Sequence, residues 1–304
     1  MKRKIIYIAG YSRSGSTILD ILLSSHSNIF GTGELVYLFD DWPNVSRTCS
    51  CGKIYSECDF WKNFQLPQDI NFKNAIEIIR LVESRKHLTA LIQNKISSPV
   101  VEQYKKIQAA LYDYVFETSG KNIIGDSSKS SRDMAGRFYA LHQYTGFDVY
   151  VIHLIKNGLS VMESYAKKGS NWALEKHIKK VPLLAARSSI GWLLANKIVL
   201  RLGKKLPSKK YLQIKYEDLT ANPAEIFSRI SAFINEDLSI VTNSILAGKT
   251  FEANHNVGGN RLRMENEIKF NVSNNDKKKI NLSLKHRLVF NLIAGNLNKK
   301  FGYD

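Results

Sequence analysis

Residues 4–23 constrain this chain more than any other stretch. An apolar run, Ile5 to Ala9, leads into a loop bounded by Gly10 and Gly15. Ser16-Thr17 follow, and then Ile18, Leu19, Leu22 and Leu23 recur at helical spacing. The run is short and β-branched enough to be a buried strand. A strand, a glycine-bounded loop and a helix start together make an anion cradle, because the loop's N–H groups and the positive helix end point at one place.

The rest of the chain reads as more units of the same kind. NIIGDSSKS is a short strand ending in polar residues, with a helix opening at Ser130-Ser131-Arg132-Asp133 and running to about His142. FDVYVIHLIKNG is the most continuous strand and leads into the helix LSVMESYAKK. Residues 171–203 are helical with a break at Pro182, KYLQIKYEDL is a further strand, and Asn222-Pro223 start the helix AEIFSRISAFI. Strands separated by helical crossovers predict a parallel sheet, with ligands outside the C-terminal ends of its strands. Between Glu34 and Lys121 the alternation lapses. A loop-rich stretch to about Pro67 precedes amphipathic helices over 71–118, and these predict a cap that shapes the second substrate's site. The fold class expected is α/β in a single domain over 1–304, with a three-layer arrangement and a loop-rich, helical cap insertion at about 35–120.

With 304 residues, 44% apolar, the chain can bury one large core. The first 20 residues contain Arg13 and Asp20 and read directly into a domain strand, so the start reads as domain rather than signal peptide. No uninterrupted 18-residue apolar run is present, and a cytoplasmic location is expected. The formal net charge of +17 is scattered, for example over Lys167-Lys168, Lys204-Lys205 and Lys209-Lys210. Such a balance attracts anions: a nucleotide, an acidic glycan or an anionic membrane face. No nucleic-acid-binding signature accompanies it, and no nucleic-acid partner is expected. Cys49, Cys51 and Cys58 cluster in RTCSCGKIYSECDFW. Three thiols are an incomplete zinc set unless a His or Asp completes it, and C-x-C differs from the usual C-x2-C. The stretch reads as a structural or redox-sensitive loop, with no metal site assigned.

The first loop resembles a P-loop, G-x-x-x-x-G-K-[ST], with one departure: Ser16 stands where the Lys would be, and the cation is Arg13, inside the loop. Arg-Ser-Gly-Ser-Thr after a strand resembles the 5′-phosphosulfate loop of sulfotransferases that use 3′-phosphoadenosine 5′-phosphosulfate (PAPS). Three further segments carry the resemblance. Lys156-Asn157-Gly158, with Ser164 eight residues after Lys156, keeps the spacing of the family's 3′-phosphate strand and helix but has Lys for the usual Arg. Lys binds phosphate as a point charge without the bidentate fork. Asp126-Ser127-Ser128-Lys129 resembles the D-S-S-K of bacterial members, near where related enzymes carry a catalytic Lys or His. A strand ending in Asp also suits a Mg²⁺ ligand, although Lys129 favours an anion. His255 to Arg263 resembles a late G-N-x-x-R segment that closes over the cofactor, and Glu34 falls where tyrosylprotein sulfotransferases carry a Glu.

The resemblance implies a PAPS-dependent transferase acting in line on an acceptor hydroxyl, without a required metal. It implies that Arg13, Glu34 and Lys129 act in catalysis, with Glu34 accepting the acceptor's proton. Ser12, Arg13, Ser14, Gly15, Ser16, Thr17, Lys156, Ser164, Gly259, Asn260 and Arg261 are implied to bind the cofactor. The basic surface suggests an anionic acceptor, a glycan or glycolipid, and leaves a membrane surface open as a partner. A P-loop kinase or NTPase and a noncatalytic anion-binding module remain as alternatives. Tyr216-Glu217-Asp218-Leu219 and Phe301-Gly302-Tyr303 also fit the family and read as scaffold; His26, His142 and His153 read as structural.

Overall fold

The computed structural model describes residues 3–44, 46–130, 134–168, 183–273 and 280–303. Five strands, β1 (Lys4–Ala9), β2 (Ile29–Gly31), β3 (Ile123–Asp126), β4 (Asp148–Ile155) and β5 (Tyr211–Lys215), form one sheet in the order β2-β3-β1-β4-β5. Every pairing in it is parallel. Such a sheet is covered on both faces, so its strands read as continuous apolar runs. β1 shows this directly: Ile5, Tyr7 and Ala9 enter one core, and Ile6 and Ile8 another. A two-stranded antiparallel ribbon, β6 (Thr250–Phe251) with β7 (Ile268–Lys269), stands apart from the sheet.

Among the described residues the helices are α1 (Ser16–Ser24), α2 (Leu38–Asp41), α3 (Phe72–Glu83), α4 (Leu88–Ile92), α5 (Ser98–Ser119), α6 (Arg137–Tyr144), α7 (Gly158–Lys168), α8 (Leu184–Gly203), α9 (Tyr216–Ala221), α10 (Pro223–Ile234), α11 (Ser239–Leu246) and α12 (Leu284–Lys300). α1, α10 and α11 bury their apolar faces against Ile6, Ile8 and Ile152. α5, α6 and α8 pack with Ile5, Tyr7 and Ile124 on the opposite face. The expected three-layer α/β architecture is therefore present. No described helix is long and apolar enough to cross a membrane.

The structure redraws several boundaries. α5 is not part of a cap: Leu111, Tyr112 and Val115 pack in the same core as Ile5 and Ile124, so the helix is a layer of the sheet. The helix expected from Ser130 begins only at Arg137, and residues 131–133 lie outside the described ones. The same holds for 171–182, including Pro182. β5 ends at Lys215, and Tyr216-Glu217-Asp218-Leu219 is already helix α9. Asn222 caps α10 as expected, its side chain accepting from Glu225 N.

Strand order places the site. The chain leaves β1 for β2 and β3 on one side, then crosses to β4 and β5 on the other, so the loops after β1 and β4 diverge at the sheet's C-terminal edge. A crevice at such a reversal is where open α/β sheets bind ligands.

Candidate active site

The cradle after β1 has the shape its glycines require. Gly10 has φ +140°, and a Cβ there would lie 2.5 Å from the Leu154 carbonyl oxygen of the adjacent strand. Gly15, the N-cap of α1, has φ +92°, and a Cβ would strike the Tyr216 ring at 2.2 Å. Only glycine lets the backbone pass so close to both walls. α3, α10 and α12 are closed at their N-termini by Asn71, Asn222 and Ser283 side chains, but no side chain caps α1. No acidic residue occupies its first turn. The donors and positive dipole end of α1 thus face a cleft of about 1200 Å³ lined by Ser12, Arg13, Gly15, Ser16 and Thr17. Ser14 is the exception among the predicted loop residues. It is buried at 2% exposure and does not line the cleft, because the loop turns its side chain into the protein.

Arg13 sits in the left-handed region, φ 70°. Its Nε donates to Ser164 Oγ at 2.9 Å, and its guanidinium lies 5.9 Å from the Tyr165 ring centre. Ser164 is therefore shared between the two predicted anion sites, not a partner of Lys156 alone. Lys156 Nζ lies 4.0 Å from the centre of the Tyr216 ring, the same ring that covers Gly15. Its backbone is held from behind: Asn157 N donates to Glu217 Oε1 at 3.0 Å, and Tyr303 OH donates to Glu217 Oε2 at 2.6 Å. The two segments read as scaffold do act as scaffold, by fixing the Lys156 turn.

Glu34 and Lys129 meet in a buried ion pair between Oε1 and Nζ. Two residues 95 positions apart, each singled out separately, thus form one unit. Lys129 also has positive φ, 68°, and its carbonyl accepts from the Tyr7 hydroxyl. Glu34 is fixed by a long-range strap. Its N–H donates to Val257 O at 2.6 Å, and Val257 N donates to Thr32 O at 2.7 Å. Gly33, φ +72°, lets the two chains approach, since a Cβ would lie 2.4 Å from Val257 O. The strap then delivers the late loop to the cradle: Asn260 N donates to Thr17 Oγ1 at 3.4 Å, and a side chain on Gly259 would reach Glu34 Oε1 at 3.3 Å. Arg261 lies exposed on the rim of the cleft.

Asp126 has no coordination capacity left for Mg²⁺. Its Oδ2 accepts from Tyr112 OH at 2.6 Å and Arg137 Nε at 3.2 Å, and its Oδ1 accepts from Ser128 N at 2.9 Å. His153 is a core residue as expected, bonded to Tyr211 OH and Asn196 Oδ1 at 2.7 and 2.8 Å. Burial lowers it to about 4, so it is neutral.

Sequence reasoning missed a further part of the cleft's lining. Val36, Phe39, Ile76, Ile79 and Met134 form it with Arg47 and Arg80, which pair with Asp41 and Asp40 at 3.6 and 3.5 Å. The 3.6-residue spacing of Ile76, Ile79 and Arg80 was legible as a helix face, but not that the face would look into the cleft.

The fold and cleft together define an α/β protein with a glycine-bounded helix-start cradle and a buried acid–cation pair beside it. Solved structures share this fold. The sulfotransferase domain from the curacin biosynthetic pathway is 17% identical, matching 99% of this chain and 98% of its own, with a TM-score of 0.52. The sulfotransferase domain of the olefin synthase of Synechococcus PCC 7002 is 18% identical, matching 100% and 96%, with a TM-score of 0.53. The chain thus has the fold of these sulfotransferase domains. No protein-family model and no curated protein matches the sequence.

Proposed function

We propose that the protein is a PAPS-dependent sulfotransferase acting on an acceptor hydroxyl. The observation that carries this reading is a single cleft holding an uncapped helix N-terminus, Arg13 braced on Ser164, and the Glu34–Lys129 pair. The shared fold supports it. The cradle suits the donor's 5′ side, since its walls leave no room for a Cβ at Gly10 or Gly15 and no side chain competes for the α1 donors.

PAPS supplies the activated sulfuryl group and leaves as the 3′,5′-bisphosphate. Arg13 and the amides of Gly15, Ser16 and Thr17 hold the 5′-phosphate and stabilise charge growing on the leaving oxygen. Lys156 and Ser164 take the 3′-phosphate, and Gly259, Asn260 and Arg261 close over the nucleotide. Glu34 accepts the proton of the acceptor hydroxyl, with Lys129 positioning its carboxylate. The chain's own cations serve the role that Mg²⁺ plays in kinases. The part of the lining with Val36, Phe39, Ile76 and Ile79 mixes apolar side chains with paired charges, which suits an amphipathic acceptor such as a glycolipid.

The test is calorimetric titration with 3′-phosphoadenosine 5′-phosphate and with AMP, without added metal, followed by turnover of Glu34→Gln. The bisphosphate should bind more tightly by about 1.5–3 kcal/mol, one charged hydrogen bond's worth. Glu34→Gln should keep that affinity and lose about 10²-fold or more in kcat. Equal affinity for the two nucleotides removes Lys156 and Ser164 from the site, and wild-type turnover of the variant leaves Glu34 structural.

A further inference from the structure

Behind the cleft, the cysteine loop gains the ligand that its sequence lacks. Residues 48–54 form a tight turn: Cys49 N donates to Lys53 O at 2.9 Å, Gly52 N to Cys49 O at 3.0 Å, and Thr48 bridges Ile54. Gly52 has φ +85° there. The turn projects Cys49 and Cys51 toward Cys58, whose Sγ lies 3.6 Å from that of Cys51. From 197 residues away the late loop adds His255, with Nδ1 at 3.2 Å from Cys58 Sγ and 3.7 Å from Cys49 Sγ. The four donor atoms all lie within 4.8 Å of one another. We propose that Cys49, Cys51, Cys58 and His255 bind one zinc ion as a closed structural site.

The distances match that geometry. Tetrahedral zinc with Zn–S near 2.3 Å and Zn–N near 2.0–2.1 Å sets sulfur–sulfur edges of about 3.8 Å and sulfur–nitrogen edges of about 3.6 Å. The three separations given above fall within about 0.4 Å of these, and the widest contracts by about 1 Å on closure. Three thiolates and one imidazole are a donor set that selects zinc over magnesium or calcium. A disulfide would use two of the donors and leave a thiol and an imidazole converging without purpose. The imidazole is also held in place: its ring stacks on Phe60 at 5.3 Å, and Trp61 Nε1 donates to the His255 backbone carbonyl at 2.8 Å. C-x-C with a distant His differs from the usual C-x2-C spacing because the two halves are brought together by the fold and not by one hairpin.

The site would join segment 48–61 to the strap carrying Asn256, Val257, Gly259 and Asn260. Around it Ser50 N donates to Asn256 O at 3.2 Å, and Arg263 Nη2 donates to Thr48 O at 2.9 Å. Zinc is thus a clamp on the loop that holds Glu34.

The full chain, purified in reducing buffer without chelator, should carry about one zinc per molecule by mass spectrometry of the metal. Chelation should lower its melting temperature, and zinc should restore it, because an ion that binds only the folded state stabilises it. Cobalt(II) added to the stripped protein should give the intense visible bands of a tetrahedral site with a thiolate charge-transfer band. Cys51 is exposed, so Cys51→Ser keeps the core intact, and it should weaken metal binding by more than about 100-fold, beyond the cost of an outer-shell change. Should that variant fail to fold, the cobalt spectrum of the unmutated chain decides. Stripped protein with no such spectrum, a disulfide between two of the cysteines in the reduced preparation, or undiminished zinc affinity in Cys51→Ser overturns the proposal.

Discussion

Arg13 and Lys129 are two of the five described non-glycine residues with positive φ. Left-handed backbone costs a side-chain-bearing residue about 1–3 kcal/mol, and it persists only where the surroundings over-determine it. Here the Ser164 contact and the Tyr7–Lys129 hydrogen bond do so. That both candidate catalytic cations carry such strain marks this cleft more sharply than charge alone does. Arg13→Gly separates the two effects, because glycine relieves the strain while removing the cation. The variant is expected to unfold at the same or a higher temperature than the parent. Its kcat should fall by about 10²–10³, with little change in affinity for the product nucleotide, since charge developing in the transition state is lost. Steady-state kinetics with calorimetry checks this; near-normal turnover would remove Arg13 from the transition state.

At the scale of elements, one buried guanidinium joins four of them. Arg137 of α6 bonds Glu83 of α3 through Nη1 at 2.7 Å, Asp126 of β3 through Nε at 3.2 Å, and Tyr112 of α5 through Nη2 at 3.2 Å. Tyr104 of α5 completes the network by donating to Glu83 at 2.8 Å. The Arg137, Glu83 and Asp126 side chains are all fully buried. Removing one partner of such a group leaves uncompensated charge, so Arg137→Met should cost about 3–5 kcal/mol in urea unfolding. A loss below about 1 kcal/mol would mean that the substitution leaves no uncompensated charge behind. Almost none of this was legible beforehand: Asp126 was noticed as a strand-ending acid and Arg137 was not singled out. Charge patterning in sequence shows which side chains can pair, whereas pairing across four elements depends on packing. The crossover strands were legible because a parallel sheet buries both faces and leaves apolar runs such as Val149 to Ile155, interrupted there only by His153.

For the whole molecule, Asp20 does what Arg137 does locally. It lies in the middle of α1, fully buried, over the paired Gly31 and Gly125 of β2 and β3. Its Oδ2 accepts from Gly33 N at 3.1 Å and from Asn256 Nδ2 at 2.7 Å, tying the cradle helix to both strands of the strap. Burial pushes its carboxyl up to about 8, while two hydrogen bonds and nearby acids adjust it. The folded chain therefore keeps a proton that the unfolded chain releases near pH 4. Across that interval the unfolded state binds fewer protons, and this contribution to stability declines as pH rises from about 4 to about 8. Asp20→Asn removes the titration. The melting-temperature advantage of the parent over the variant should shrink steadily between about pH 5 and about pH 8. A constant difference would show that Asp20 is ionised throughout.

The sequence by itself determined the cradle and the parallel sheet, because each rests on local physics. Glycine spacing, β-branched runs and a helix start act within about ten residues. Glu34, Lys129, Lys156 and the 259–261 loop were pointed to by the resemblance of their motifs to a known family. Only the tertiary structure decided that Glu34 pairs with Lys129, that Ser164 serves Arg13, that Ser14 faces inward, and that His255 reaches three cysteines. Each of these joins positions separated by folding: loops after different strands meet at the sheet's reversal, and a strap from residue 257 closes on residue 33. Such contacts follow from strand order and chain crossing, which no spacing within a single segment encodes.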